Sequence, residues 1–230
     1  MKRNLICFML ALMAISMAFV ACNKESNDDS GYVIDAKNVV GMTDNIATVN
    51  AGCMYNITAP YEYEVGVIAT AEFKDQGFEL LLPKIFENKY LIKPPVEESI
   101  VVSDPNAKIS SGILLSAYNM GGAEIGNFFL SGKNNNATVT VSYIYADRNF
   151  SMKGNSDNSQ SKVEINCSLK RGWNMMYAIV IVNEDNGIVN ALITTKEPTN
   201  VILSWQYYPE GILESQFQNP IFKYNLNNKR

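Results

Sequence analysis

The stretch "KVEINCSL", Lys162 to Leu169, alternates without a break. Val163, Ile165, Cys167 and Leu169 fall on one side, and Lys162, Glu164, Asn166 and Ser168 on the other. A period of two suits only an extended chain, because successive side chains of a strand leave opposite faces, whereas a helix returns to one face every 3.6 residues or about that. The period recurs in "ATVTVSYIYA", where Val139, Val141, Tyr143 and Tyr145 alternate with Thr138, Thr140, Ser142 and Ile144. It recurs again from Tyr63 to Phe73, with Tyr63, Val65, Val67, Ala69, Ala71 and Phe73 on one side. These segments predict strands with one wet face. "MMYAIVIV", Met175 to Val182, is apolar on both sides and predicts a central strand.

Turn chemistry points the same way, and little of the chain reads as helix. Asn186-Gly187 is the preferred pair for a type I′ hairpin, and Lys170-Arg171-Gly172 makes a second tight connection, so an antiparallel meander is expected from about Val163 to Thr195. Asp75-Gln76-Gly77 separates the strand ending at Phe73 from "FELLLP". The predicted class is all-β, an antiparallel β-sandwich. Two prolines in "KPPVEES", Lys93 to Ser99, interrupt strand pairing. They divide the chain into an N-terminal β subdomain at 32–93, a C-terminal β-sandwich at 99–209 and a tail at 210–230. A block of about 60 residues is small for an independent core, so the two parts are expected to pack together. The alternative is one sandwich with this segment as a crossover.

The first 21 residues belong to no fold. Lys2 and Arg3 precede a nearly uncharged run from Leu5 to Val20, then Ala21 and Cys22, which are the parts of a secretory leader. The run is shorter than the roughly 20 residues a membrane-spanning helix needs. Phe19-Val20-Ala21-Cys22 resembles the bacterial lipobox. That resemblance implies that the Cys22 thiol receives a diacylglyceryl group and becomes the first residue of the mature chain, usually with its amine acylated as well. Two or three acyl chains make a stable membrane anchor, whereas one binds only marginally. Residues 22–31, polar and acidic without an aliphatic side chain in Asn23–Ser30, are too hydrophilic for a core and read as a flexible tether. "NKESNDDS" also resembles the acidic export signal of Bacteroidetes surface lipoproteins. The implied location is the outer membrane, facing the cell surface, with the periplasmic side as the alternative.

Composition excludes more chemistry than it offers. There is no histidine, which removes Ser-His-Asp and Cys-His nucleophiles, HExxH zinc sites and two-histidine iron sites. Losing Lys2 and Arg3 with the leader takes away two positive charges, from −4 to −6, and no Lys/Arg cluster remains for nucleic acid. Cys7 leaves with the leader and Cys22 is committed to lipid, so Cys53 and Cys167 stand alone. In an oxidising compartment they could form one disulfide. Each also lies in an apolar stretch, where a free cysteine behaves as a small hydrophobe. No cysteine or glycine spacing matches a metal or phosphate site, and no metal or cofactor is expected. "MGGAEIGNF" lacks the strand and helix context of a phosphate loop and reads as a turn entering a strand. Glu62, Glu64 and Glu72 could in principle serve paired-carboxylate glycoside hydrolysis, but the strand pattern already places them on a solvated face, and no enzyme activity is expected. "NEDNG", residues 183–187, reads as a hairpin ahead of a calcium loop. Met175 and Met176, as neighbours on a strand, read as core filling rather than haem ligation.

The aromatics are the remaining candidates. Trp173, Trp205, Tyr207 and Tyr208 could offer a flat platform for sugar rings, although in a sandwich such residues more often fill the core and its rim. Several phrases are similar to those of uncharacterised Bacteroidetes lipoproteins: "AKNVVGMTDNIATVNA", "GFELLLP", "KYLIKP", "YADRNFSMKG" and "SLKRGWNMMY". The resemblance implies an envelope lipoprotein with β domains and carries no catalytic residue. Two functions are therefore expected to compete. One is a lipid-anchored binding or accessory protein that captures a glycan or an envelope protein. The other is an assembly component joined to its partners through exposed strand edges.

Overall fold

A computed structural model describes residues 31–210 apart from 42, 44, 60–61, 95–98, 135–136, 158–160 and 183–188. The expected leader, Cys22, the expected tether up to Ser30 and the tail beyond Glu210 lie outside the described residues, as do Asn186-Gly187 and the rest of "NEDNG".

The chain is all-β. In the first half lie β1 (Tyr32–Ala36), β2 (Thr48–Ala59), β3 (Glu62–Glu72), β4 (Phe78–Leu82), β5 (Leu91–Ile92), β6 (Ile100–Val102), β7 (Ile109–Ser110) and β8 (Ile113–Tyr118). The second half holds β9 (Glu124–Asn134), β10 (Ala137–Ala146), β11 (Phe150–Asp157), β12 (Ser161–Leu169), β13 (Gly172–Val182), β14 (Val189–Thr194) and β15 (Ser204–Pro209). Among the described residues a single 3-10 turn covers Asn88–Tyr90. β1 and β4 form a small antiparallel sheet, and the other strands form one large sheet in the order β3-β2-β8-β9-β10-β13-β14-β12-β11-β6, with β15, β5 and β7 attached at its side.

The sheet turns a corner at β9. Phe128 pairs with Leu115 of β8 and Tyr207 of β15, while Leu130 pairs with Val141 of β10 and Trp205 of β15. A strand has two edges, so β8 and β10 succeed each other along one edge of β9 and β15 runs along the other. The β1–β4 sheet covers the β2, β8, β9 and β15 part, and Ile34, Leu80, Leu82, Val49, Leu115, Phe128 and Trp205 are buried together there. Residues from before and after the expected boundary at 93–99 share this cluster, and β2 pairs directly with β8 across it.

Strand patterns hold where one face is dry. β12 buries Val163, Cys167 and Leu169 and exposes Lys162, Glu164, Asn166 and Ser168 as its alternation requires. β13 is central between β10 and β14, and its adjacent methionines part as expected, Met176 into one core cluster and Met175 against others. Lys74 and Gly77 exchange hydrogen bonds of 3.0 and 2.9 Å around Asp75 and Gln76. Both central residues have positive φ, 50° and 57°, the signature of a type I′ turn.

Three expectations are corrected. The meander from Val163 to Thr195 is broken: β14 lies between β12 and β13 and runs parallel to β12. The 170–172 connection therefore steps over a strand, held by the Asn174 side chain, which accepts from Lys170 N–H at 2.9 Å and donates to Lys170 O at 2.8 Å. Ile144, placed on the wet side of β10, is buried at 1% exposure because a second core cluster covers that face toward the strand's end. In β3 the period-two side is split. Register passes from Ala51↔Ala69 to Gly52↔Val67, so Ile68 is an extra residue, a β-bulge. Ala69, Ala71 and Phe73 pack on the core, but Tyr63, Val65 and Val67 point out.

Candidate interaction surface

The aromatic residues do not assemble into a platform. Trp205 and Tyr207 are each only 7% exposed. Trp205 packs edge-on against Phe78 at 5.5 Å and parallel to Tyr143 at 6.5 Å. The Tyr207 hydroxyl donates to Ile125 O at 2.7 Å. Trp173 is half-buried against Phe86 and Tyr145, with its indole N–H donating to Pro83 O at 2.9 Å, so it closes the end of a core cluster. Tyr208 lies edge-on to Phe129 at 5.8 Å. The rings are drawn to core positions because the two-sided burial of a folded sheet leaves large apolar groups few wet faces.

Of the two readings of the cysteine pair, the structure carries the free one. Cys53 and Cys167 are free, buried thiols in separate core clusters. The Cys53 Sγ lies 3.5 Å from the Ser111 hydroxyl, and the Cys167 thiol donates to Ile193 O at 3.5 Å. Burial pushes both thiols up, Cys167 to about 12.

The glutamates of β3 are also parted by the bulge. Glu64 accepts from the Tyr55 hydroxyl at 2.6 Å and the Asn56 amide at 2.8 Å, which hold its carboxyl below its ordinary value. Glu72 lies beyond the bulge, 3.8 Å from Lys74. They belong to opposite phases of the strand. The Glu62 side chain lies outside the described residues. Among the described residues no group of three or more Cys, Asp or Glu side chains is arranged to hold a metal ion.

What the bulge does create is an apolar edge. β3 ends the large sheet, and among the described residues β2 is its only strand partner. Its outer face carries Tyr63, Val65 and Val67, which are 49%, 48% and 56% exposed, and Leu114 on β8 continues the patch at 37%. Val65 lies across Gly52, its Cγ1 2.7 Å from where a β-carbon would stand. The absent side chain of Gly52 is what lets the two strands and Leu114 form one shallow surface.

No protein-family model, curated protein or solved structure matches the chain.

Beyond Ala69 the outer face becomes polar at once. Thr70 donates to Asn50 Oδ1 at 2.8 Å, and Ser116 to Asn127 Oδ1 at 3.1 Å, a ladder across β3, β2, β8 and β9. The apolar patch is thus bounded on one side by satisfied polar groups and on the other by the open edge. Such a combination suits an added strand: main-chain groups at the edge supply hydrogen bonds, and the exposed valines and tyrosine receive alternate side chains. Sequence reasoning missed it because Tyr63, Val65 and Val67 read as core. The available signal was Gly66 and Gly52, a glycine in each of two neighbouring strands, which marks a bulge or a close approach.

Proposed function

We propose that this chain is a lipid-anchored display protein of a bacterial outer membrane, of the Bacteroidetes surface type, that captures a protein partner at the β3 edge. The carrying observation is that edge, a strand of 11 residues without a second strand partner among the described residues and with three half-exposed apolar side chains in a row. The leader, Cys22 and the acidic tether support the anchoring half of the reading. The burial of Trp205 and Tyr207 favours a protein over a glycan as the partner.

Two measurements test the two halves. Replacing Cys22 with Ser removes the acyl acceptor; labelled fatty acid is no longer incorporated and the protein leaves the membrane fraction, whereas unchanged labelling refutes the anchor. For capture, a photo-reactive residue is placed at Val67 or at Leu81, an equally exposed position on β4, and intact cells are irradiated. The Val67 position yields a discrete cross-linked protein that Leu81 does not, and Val65→Lys removes it. Identical products at both positions, or none, refute the β3 edge as the site.

A further inference from the structure

The outward half of β3 is complementary to itself. Facing residues of an antiparallel pair put their side chains on the same face of the sheet, and their main-chain groups turn toward or away from the partner together. When a strand meets its own copy about a two-fold axis normal to the sheet, these conditions hold only if the axis passes beside a residue rather than between two. Three axes bring the Tyr63–Val67 segments of two copies together. An axis at Glu64 sets two carboxylates directly opposite each other, which is destabilising. An axis at Gly66 sets Tyr63 against Ala69 and so carries the pairing through the bulge at Ile68, where the ladder is disrupted. An axis at Val65 avoids both faults and keeps the pairing within Tyr63–Val67.

With the axis at Val65, that residue faces its own counterpart, and Tyr63 of each copy faces Val67 of the other. All the facing pairs on the outer side are then β-branched or aromatic, the kinds that stabilise adjacent strands. They cover side chains that are 48–56% exposed in the single chain. Leu114 lies on the same row, since Gly52 pairs with both Val67 and Leu114, and it extends the apolar stripe in each copy. On the opposite side Glu64 faces Gly66 of the second copy. Tyr90 occupies the space where a Gly66 side chain would stand, and the Lys89 ammonium is 4.8 Å from the centre of that ring, paired with Glu87 at 3.0 Å. Each copy therefore brings a carboxylate toward the other's ammonium, and the two-fold axis makes the match twice.

We propose that the β3 edge pairs with the β3 edge of a second copy of this chain, antiparallel about a two-fold axis at Val65. The proposal rests on the β3 edge being the capture site and names the partner taken there. The same patch serves on both sides, so the assembly closes at a dimer and does not grow into a fibre. Tyr63–Val67 is a short contact, of the class below about 1,200 Å² that associates reversibly.

The test uses the full chain in intact cells, with one cysteine added at Tyr63, Val65 or Val67 and the parent chain as the baseline. These positions are half-exposed, whereas Cys53 and Cys167 are buried. Directly facing Cα atoms stand about 4.5–5.5 Å apart, within disulfide reach. Tyr63 of one copy is about 14 Å from Tyr63 of the other, because it faces a residue four places along the strand. On brief oxidation Val65→Cys is expected to give about tenfold or more disulfide-linked dimer than Tyr63→Cys or Val67→Cys alone. Tyr63→Cys chains co-expressed with Val67→Cys chains of a different tag length are expected to give the mixed dimer. Equal dimer from the three single variants, or none above the parent, overturns the proposal. Photo-capture at Val67 separates that failure from failure of the site. A discrete product at a mass other than the dimer's leaves the edge as a capture site for a different protein and overturns self-pairing. No product at Val67 removes the site, and the proposal with it.

Discussion

Gly66→Ala distinguishes the bulged β3 from an unbulged one by the sign of its effect. In the structure Gly66 faces inward, and a β-carbon there would stand 2.2 Å from the Tyr90 hydroxyl oxygen and 2.9 Å from two of its ring carbons. The Gly66 backbone is not in the left-handed region, so strain arises from packing alone. Tyr90 cannot easily yield: it is 4% exposed, with Tyr55 at 5.3 Å, Phe86 at 5.2 Å and the Lys89 ammonium 4.8 Å over its ring. Forcing one carbon into such a site costs about 1–3 kcal/mol. For a domain of this size each kcal/mol moves the melting temperature by about 2–4 °C, so the midpoint should fall by about 2–12 °C. If Tyr63, Val65, Val67 and Ala69 instead shared one inward face, Gly66 would point to water. Alanine would then stabilise the strand by about 0.5–1 kcal/mol. Thermal and urea unfolding of Gly66→Ala, Tyr90→Phe and the double variant read the difference. The double variant should recover part of the loss, because removing the hydroxyl frees the nearest contact and the two sites are coupled. A midpoint that stays or rises in Gly66→Ala refutes the bulged register and with it the apolar edge.

Trp205→Ala should cost about 3–5 kcal/mol, the loss typical of a buried Trp, and a stable variant that instead lost binding to a sugar would return Trp205 to the surface. A thiol reagent should leave Cys53 and Cys167 unmodified in the native protein and label both in denaturant without reductant; a peptide carrying both, linked, would contradict the free thiols. Asp147 gives a pH dependence. Its partial burial raises the carboxyl, but hydrogen bonds from the Arg148 guanidinium and from Lys108 N–H outweigh this and leave it below its ordinary value. Its contribution is therefore present above the unfolded value of about 3.9 and is lost as pH falls through the folded one. Arg148 is 44% exposed, so the effect should stay below about 1 kcal/mol. Asp147→Asn should lose less stability between about pH 5 and pH 3 than the parent does; an equal loss would place the acid sensitivity elsewhere.

Local periodicity made β12 legible, because its one dry face sorts residues by polarity without help from other strands. The turn at Asp75-Gln76 was legible for a similar reason: its flanking residues pair with each other, through Lys74 and Gly77. The insertion of β14 between β12 and β13 was not, since Lys170-Arg171-Gly172 specifies a reversal but not which strand comes to lie in between. β10 shows the limit of polarity sorting: Ile144 reads as wet because its companions are Thr and Ser, and only the cluster of Ala107, Phe150, Met152 and Met176 above it makes that position dry.

The β3 bulge was hidden for a different reason, and that reason links the fold to the candidate site. From Val65 to Ala71 nearly every side chain is small or aliphatic, so inserting a phase shift at Ile68 costs nothing that polarity can register; both phases look apolar. The choice is made by β2, where Ala51 and Cys53 are fully buried while Gly52 leaves a space that Val65 covers from outside. Ile68 and Ala69 then both turn inward, and two valines that a continuous strand would have buried are left at the rim. Sheet edges are ordinarily protected by charge, by a bulge or by a covering segment. β3 has a bulge, yet this bulge turns apolar groups outward rather than hiding them, and its glutamates are divided between the two phases. An edge so exposed is suited to an added strand from a partner.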